Sequence, residues 1–136
     1  MKAELDKIQL ERFILEGLYE DVREGDHTSL ACIPSFDRSK ARLLVKSEGV
    51  IAGIEIAEAI FEHVDPSAVL DVRIADGEDV RYGDVVFYVE CNTRALLKAE
   101  RLVLNTMQRL SGIATLSSRF AFEVEGLPVK ILDTRK

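Results

Sequence analysis

The sequence predicts an α+β fold in which helices pack on a small, mainly antiparallel sheet. Apolar residues recur at helical spacing over about 6–23, over 54–63 and from 93 onwards. Between them lie short runs rich in Val, Ile, Leu, Tyr and Phe, at 40–46, 69–74 and 82–90. The last two runs are joined by turns with Gly beside Asp, as strand pairs are.

Composition narrows the class of protein. At 136 residues the chain is one domain's worth, long enough to bury a core. Its 47% hydrophobic and 31% charged residues are ordinary for a globular protein. A net charge of −6 argues against nucleic acid or an anionic membrane as partner, while leaving room for local basic sites. Cys32 and Cys91 stand at no metal-like spacing and are expected to be reduced and packed in the core. Met1 to Leu10 alternates charged and apolar residues, unlike a signal peptide, and the apolar run from Gly49 to Ile60 is too short to span a bilayer. Cytoplasm is the expected compartment.

Leu5, Ile8, Phe13, Leu15, Leu18, Tyr19 and Val22 give the first helix, with Gly25 as its stop. Gly25-Asp26-His27-Thr28-Ser29 reads as a turn with an Asx or Ser/Thr cap, and no role is assigned to His27. The strand at 40–46 is expected to continue through Glu48 to Gly53. A helix follows to His63, then a turn at Asp65-Pro66-Ser67. The pattern from Asp76 to Val85 also occurs in lipoyl and biotinyl carrier domains, but no lysine lies between Lys46 and Lys98 to carry the cofactor.

The stretch from Asn92 to Thr115 organises the chain. Asn92 or Thr93 can cap a helix start, and strong helix formers follow. At ~100° per residue, Arg94, Lys98, Arg101, Asn105 and Gln108 form one polar stripe. Leu96, Ala99, Leu102, Val103, Thr106, Met107 and Leu110 fill the opposite face. Taken alone, a solvated helix face would explain such a stripe. Three cations with no carboxylate, on the only polar strip of an apolar helix, are also what an anion site needs. Ser111-Gly112 is expected to interrupt the helix, with a second helix from Ile113 to Glu123 that turns Leu116, Phe120 and Val124 inward. Residues 129–132 read as a short buried strand.

Three motifs in this chain resemble quinolinate phosphoribosyltransferase, also called nicotinate-nucleotide pyrophosphorylase (carboxylating). They are Glu100-Arg101-Leu102-Val103-Leu104-Asn105, then Gln108-Arg109-Leu110-Ser111-Gly112-Ile113-Ala114-Thr115, then Ile131-Leu132-Asp133-Thr134-Arg135-Lys136. The resemblance implies the amino-terminal domain of a type II phosphoribosyltransferase, ending at the first strand of an absent α/β barrel. It divides the chain into residues 1–112, an amino-terminal α/β sandwich including the long helix from about 93, and 113–136, the truncated start of the barrel. A barrel takes about 200 residues or more, so a piece of a longer enzyme, inactive by itself, is expected.

The activity implied is conversion of quinolinate and phosphoribosyl pyrophosphate to nicotinate mononucleotide, carbon dioxide and pyrophosphate, in NAD biosynthesis. Such polyanionic reactants call for Arg forks and Lys point charges in a partly desolvated pocket. The resemblance assigns quinolinate binding to Arg101, reaching the partner subunit's site in a homodimer, and to Thr134, Arg135 and Lys136 on the barrel side. It gives Asn105, Gln108 and Arg109 a structural role against the dimer partner. It also implies Mg²⁺, with ligands outside this chain. The alternatives are a non-catalytic dimerising or anion-binding piece, and a related phosphoribosyltransferase with another acceptor.

Overall fold

The structure is a computed structural model that describes residues 6–23 and 25–132. Helix α1 spans Lys7–Val22 and α2 spans His27–Cys32. Strand β1 (Arg38–Leu44) and the two-residue β2 (Gly49–Val50) lead into α3 (Ile54–Val64). Then come β3 (Val69–Val72), β4 (Asp79–Val80), β5 (Val85–Asn92) and the long helix α4 (Thr93–Glu123). The expected α+β class is the one observed.

β5 is the central strand of a three-stranded antiparallel sheet, in the order β1-β5-β3. Its alternation explains why. Val89 and Cys91 point into the core with Phe87, while Tyr88 between them is exposed. Ala41 and Leu70 flank Val89 from the two neighbouring strands. α3 and α4 cover the inner face. Ile60, Val86, Cys91 and Ala99 are fully enclosed, and the Phe61 and Phe87 rings meet edge to face with centroids 6.3 Å apart. Ala95, Ala99, Leu102, Val103 and Met107 form the buried stripe of α4.

Several local expectations are corrected. The segment after β1 does not continue that strand: β2 leaves it and pairs with β4 in a separate two-stranded sheet. At Gly-Asp-x-Thr-Ser the expected Asx cap is present, since the Asp26 carboxylate accepts the Ser29 N–H at 3.1 Å, but what it caps is the helix α2 and not a simple turn. Cys32 is exposed at the end of α2; of the two cysteines, Cys91 is the one in the core. Residues 129–132 form no strand, and Val129, Ile131 and Leu132 are exposed. Both edges of β5 are already occupied by β1 and β3, and no other strand among the described residues pairs with this run.

The largest correction concerns Ser111-Gly112, where α4 continues without a break. A helical glycine costs roughly 1 kcal/mol, and neighbouring hydroxyls offset that cost. Ser111 Oγ accepts the Ala52 N–H at 3.0 Å and donates to the Ala52 carbonyl. Thr115 Oγ1 accepts the Val50 N–H at 2.9 Å and donates to the Ser111 carbonyl at 2.7 Å. The helix thus holds the edge of β2 through side chains one turn apart. Leu116 and Phe120 beyond this point are exposed, 55% and 57%, not turned inward.

Two glycines set how closely α4 is approached. A Cβ on Gly17 of α1 would lie 2.6 Å from Leu102 Cδ1, and one on Gly49 would lie 2.5 Å from Thr115 Oγ1. Gly49→Ala should therefore lower the urea midpoint of the chain. Thr115→Ala should also lower it, by about 1 kcal/mol for a lost hydrogen bond. Together they should cost less than the sum, since removing the threonine relieves the clash. Circular dichroism during urea unfolding measures this; strictly additive costs would mean that Gly49 and Thr115 do not press on one another.

Candidate functional site

The start of α4 is fixed by a polar knot. The Asn92 side chain accepts the Arg94 and Ala95 N–H groups at 3.0 and 3.2 Å, capping the helix as the sequence predicts. Its amide also donates to the carbonyls of Ser35 and Asp37. Beneath it, the buried carboxylate of Asp65 accepts the Asn92 N–H at 2.8 Å and both the N–H and the hydroxyl of Ser67. Arg38 approaches to 3.7 Å. The Ser67 hydroxyl first, then the Asn92 N–H, hold the Asp65 carboxyl below the usual carboxylate range. Burial pushes the neighbouring Cys91 thiol up, and the Asp65 charge adds to that.

Arg94, the first cation of the predicted stripe, is not available to a ligand. Its Nε donates to the Ile33 carbonyl at 2.8 Å and its Nη2 to the Leu30 carbonyl at 3.1 Å. These are carbonyls at the end of α2, where a cation is favoured. Arg94 therefore ties α2 to α4.

Lys98 and Arg101, one turn further on, stand over a depression of about 450 Å³. α4 contributes Leu97, Lys98 and Arg101; α1 contributes Asp21 and Val22; the turn into α2 contributes Gly25, Asp26, His27 and Thr28. The Arg101 side chain is 74% exposed, and its Nη1 lies 3.5 Å from Asp21 Oδ1. Lys98 has no ion-pair partner among the described residues. Asp26, whose carboxylate accepts the hydroxyl and N–H of Ser29, has its pKa lowered by them and stays ionised at the rim. The depression thus offers a guanidinium fork and an ammonium to an anion.

Asn105 and Gln108 are exposed farther along α4. Gln108 lines a second, larger groove of about 670 Å³ between α4 and the β1–β2 segment. Of the expected site residues, Arg101 lies at the depression, while Thr134, Arg135 and Lys136 lie outside the described residues. Among the described residues no three of His, Cys, Asp and Glu gather where they could hold a metal ion. No helix is long and apolar enough to cross a membrane.

Fold and depression together define an α+β domain that presents cations at an open mouth. Comparison with known proteins gives this domain its family. Residues 26–111 match the family described as Quinolinate phosphoribosyl transferase, N-terminal domain. The chain belongs to that family. It is 44% identical over 121 residues to quinolinate phosphoribosyltransferase [decarboxylating] 1 of Nicotiana glauca, an alignment covering 88% of this chain and 34% of that protein. It is 34% identical to a probable nicotinate-nucleotide pyrophosphorylase [carboxylating] of Synechocystis, over 95% of this chain and 43% of that one. Among solved structures it resembles NadC from Streptococcus pyogenes, with a TM-score of 0.91 and 29% identity, covering 98% of this chain and 48% of that chain. The chain thus spans about a third of the plant relative and about half of the solved chain.

Sequence reasoning missed Asp21 and Asp65. Each acts on a residue far along the chain, and no local pattern marks either one. The buried Asp65 yields a prediction with a definite sign. A carboxyl with a depressed folded pKa contributes stability that is fully present above its unfolded pKa, about 3.9, and is lost as pH falls through the folded value. The urea midpoint should fall as pH drops below about 4. Asp65→Asn should have a lower midpoint at pH 6 and a shallower acid slope. Parallel slopes in the two proteins would mean that folding does not depress the Asp65 pKa.

Proposed function

We propose that this chain forms the amino-terminal part of a quinolinate phosphoribosyltransferase and supplies Arg101 to its dicarboxylate site. The observation that carries the reading is Arg101 itself. Its side chain stands 74% exposed at an open depression, on a helix whose opposite face is packed into the core. The family match supports the reaction, as do relatives named for it.

In that reaction the bond from ribose C1 to pyrophosphate breaks and the quinolinate ring nitrogen takes its place. One carboxylate then leaves as carbon dioxide, and a proton from solvent takes its place on the ring carbon. The task of this domain is to bind and orient. A guanidinium fork grips a carboxylate through two parallel N–H donors, which fixes the ring and offsets the repulsion between two polyanions. Thr134, Arg135 and Lys136 form the facing wall in this proposal, on a barrel that follows. The enzyme is a homodimer in which Arg101 serves the partner's site. Mg²⁺ would accompany phosphoribosyl pyrophosphate. Cytoplasm is the proposed compartment; two free cysteines suit reducing surroundings, although relatives include forms named mitochondrial and chloroplastic.

Residues 1–136 alone should form no nicotinate mononucleotide. In the full-length protein, Arg101→Ala should lower kcat/KM for quinolinate about ten- to hundredfold, the equivalent of roughly 1.5–3 kcal/mol for a charge-assisted hydrogen bond, with little change in Tm. Normal activity per folded molecule would remove Arg101 from the site. Sharing between subunits has its own test. Arg101→Ala and Lys136→Ala homodimers should each be nearly inactive. After subunit exchange, about half the dimers carry one intact site of two, so activity should approach roughly a quarter of wild type. Activity that stays at the level of the parents, with heterodimers confirmed by native mass spectrometry, would place Arg101 in its own subunit's site or in none.

A further inference from the structure

The ion pair between α1 and α4 has a consequence for binding. Asp21 is the penultimate residue of α1, and a carboxylate in a helix's last turn is unfavourable unless a cation answers it. The answering cation is Arg101. Backbone packing brings them together: Gly17 of α1 touches Leu102, Asp21 lies one turn beyond Gly17, and Arg101 directly precedes Leu102. Asp21 is held in this contact with its side chain only 22% exposed, while the long Arg101 side chain is 74% exposed. The contact is lopsided. It engages Nη1 at 3.5 Å, longer than a good hydrogen bond, and Arg101 has no other ion-pair partner among the described residues.

Resting on the reading of Arg101 as a carboxylate-binding group, we infer that Asp21 is a positioning residue. It holds the guanidinium through Nη1 and leaves the other N–H donors for the carboxylate of the incoming acid. An exposed arginine without such a partner would have to be ordered by the ligand, at a cost in side-chain entropy. Asp21 removes part of that cost beforehand. Because the pair is long and partly exposed, the substrate carboxylate adds to the arrangement and does not have to break a strong bond.

A double-mutant cycle on the full-length protein tests this, with KM for quinolinate measured at saturating phosphoribosyl pyrophosphate. Asp21→Asn should raise KM about three- to tenfold with kcat changed by less than about twofold and Tm nearly constant. In the Arg101→Ala background the same change should move KM by less than about twofold. Asp21→Ser should repeat the pattern by a second route. An equal rise in KM in both backgrounds would overturn the inference, since Asp21 would then act without Arg101. A fall in KM in the wild-type background would also overturn it, making Asp21 a competitor for the guanidinium. If Arg101→Ala alone leaves KM unchanged, the functional reading fails and takes the inference with it; if Arg101→Ala raises KM and Asp21→Asn does not, the inference alone fails.

Discussion

The structure depends on one junction, where the central strand of the sheet becomes the long helix with no residue between. Asn92 ends β5 and Thr93 begins α4. At that point a single asparagine has three tasks. Its backbone N–H anchors to Asp65, its side-chain oxygen caps the helix, and its side-chain amide ties down the carbonyls of Ser35 and Asp37. Thr93 adds a hydrogen bond from its hydroxyl to Asp37. Strand, helix and preceding loop are therefore set relative to one another by polar contacts that run from the part-buried Asp65 and cap bonds out to the exposed bonds to Ser35 and Asp37. An isolated cap contributes about 1 kcal/mol; here the same group also fixes the direction in which the helix leaves the sheet.

Much of this was legible in the chain. The helical period in α1, α3 and the first half of α4, a cap at Asn92 or Thr93 and the apolar run of β5 are local properties, and local patterns report them. The failures share a cause. Gly112 reads as a break because its propensity is local, while the hydroxyls of Ser111 and Thr115 that outweigh it bond to residues 52 and 50. Leu116 and Phe120 lie at helical spacing, but spacing does not tell which surface covers them. At 129–132 an apolar run suggests a strand, and a strand needs a neighbour that local sequence cannot supply. The site divided in the same way. The motif singled out Arg101, which lies at the depression, whereas the withdrawal of Arg94 into α2 and the approach of Asp21 come from packing.

The cations of α4 thus have separate duties although they share a stripe. Arg94 closes the end of α2. Arg101 is left outward, held lightly by one carboxylate. This division follows from where each residue falls relative to α2, since a guanidinium close to free carbonyls is used by them. What remains for a ligand is set by what the fold has not already used.

The length of α4 has a mechanical consequence. Its 31 residues make a rod of about 46 Å at ~1.5 Å per residue, built into the sheet at one end. If the rod tilts by about 5° about that fixed end, its far tip sweeps about 4 Å. Arg101 lies two turns from the fulcrum, about 12 Å along, and moves by only about 1 Å. Only the last two turns, beyond Thr115, carry exposed apolar residues past the staples, while the arginine, close to the pivot, is carried only a short distance. Roughly 1 Å is still enough to matter for a reacting geometry. The hydroxyl staples at Ser111 and Thr115, far out along the same rod, are placed where they resist tilting with the greatest leverage.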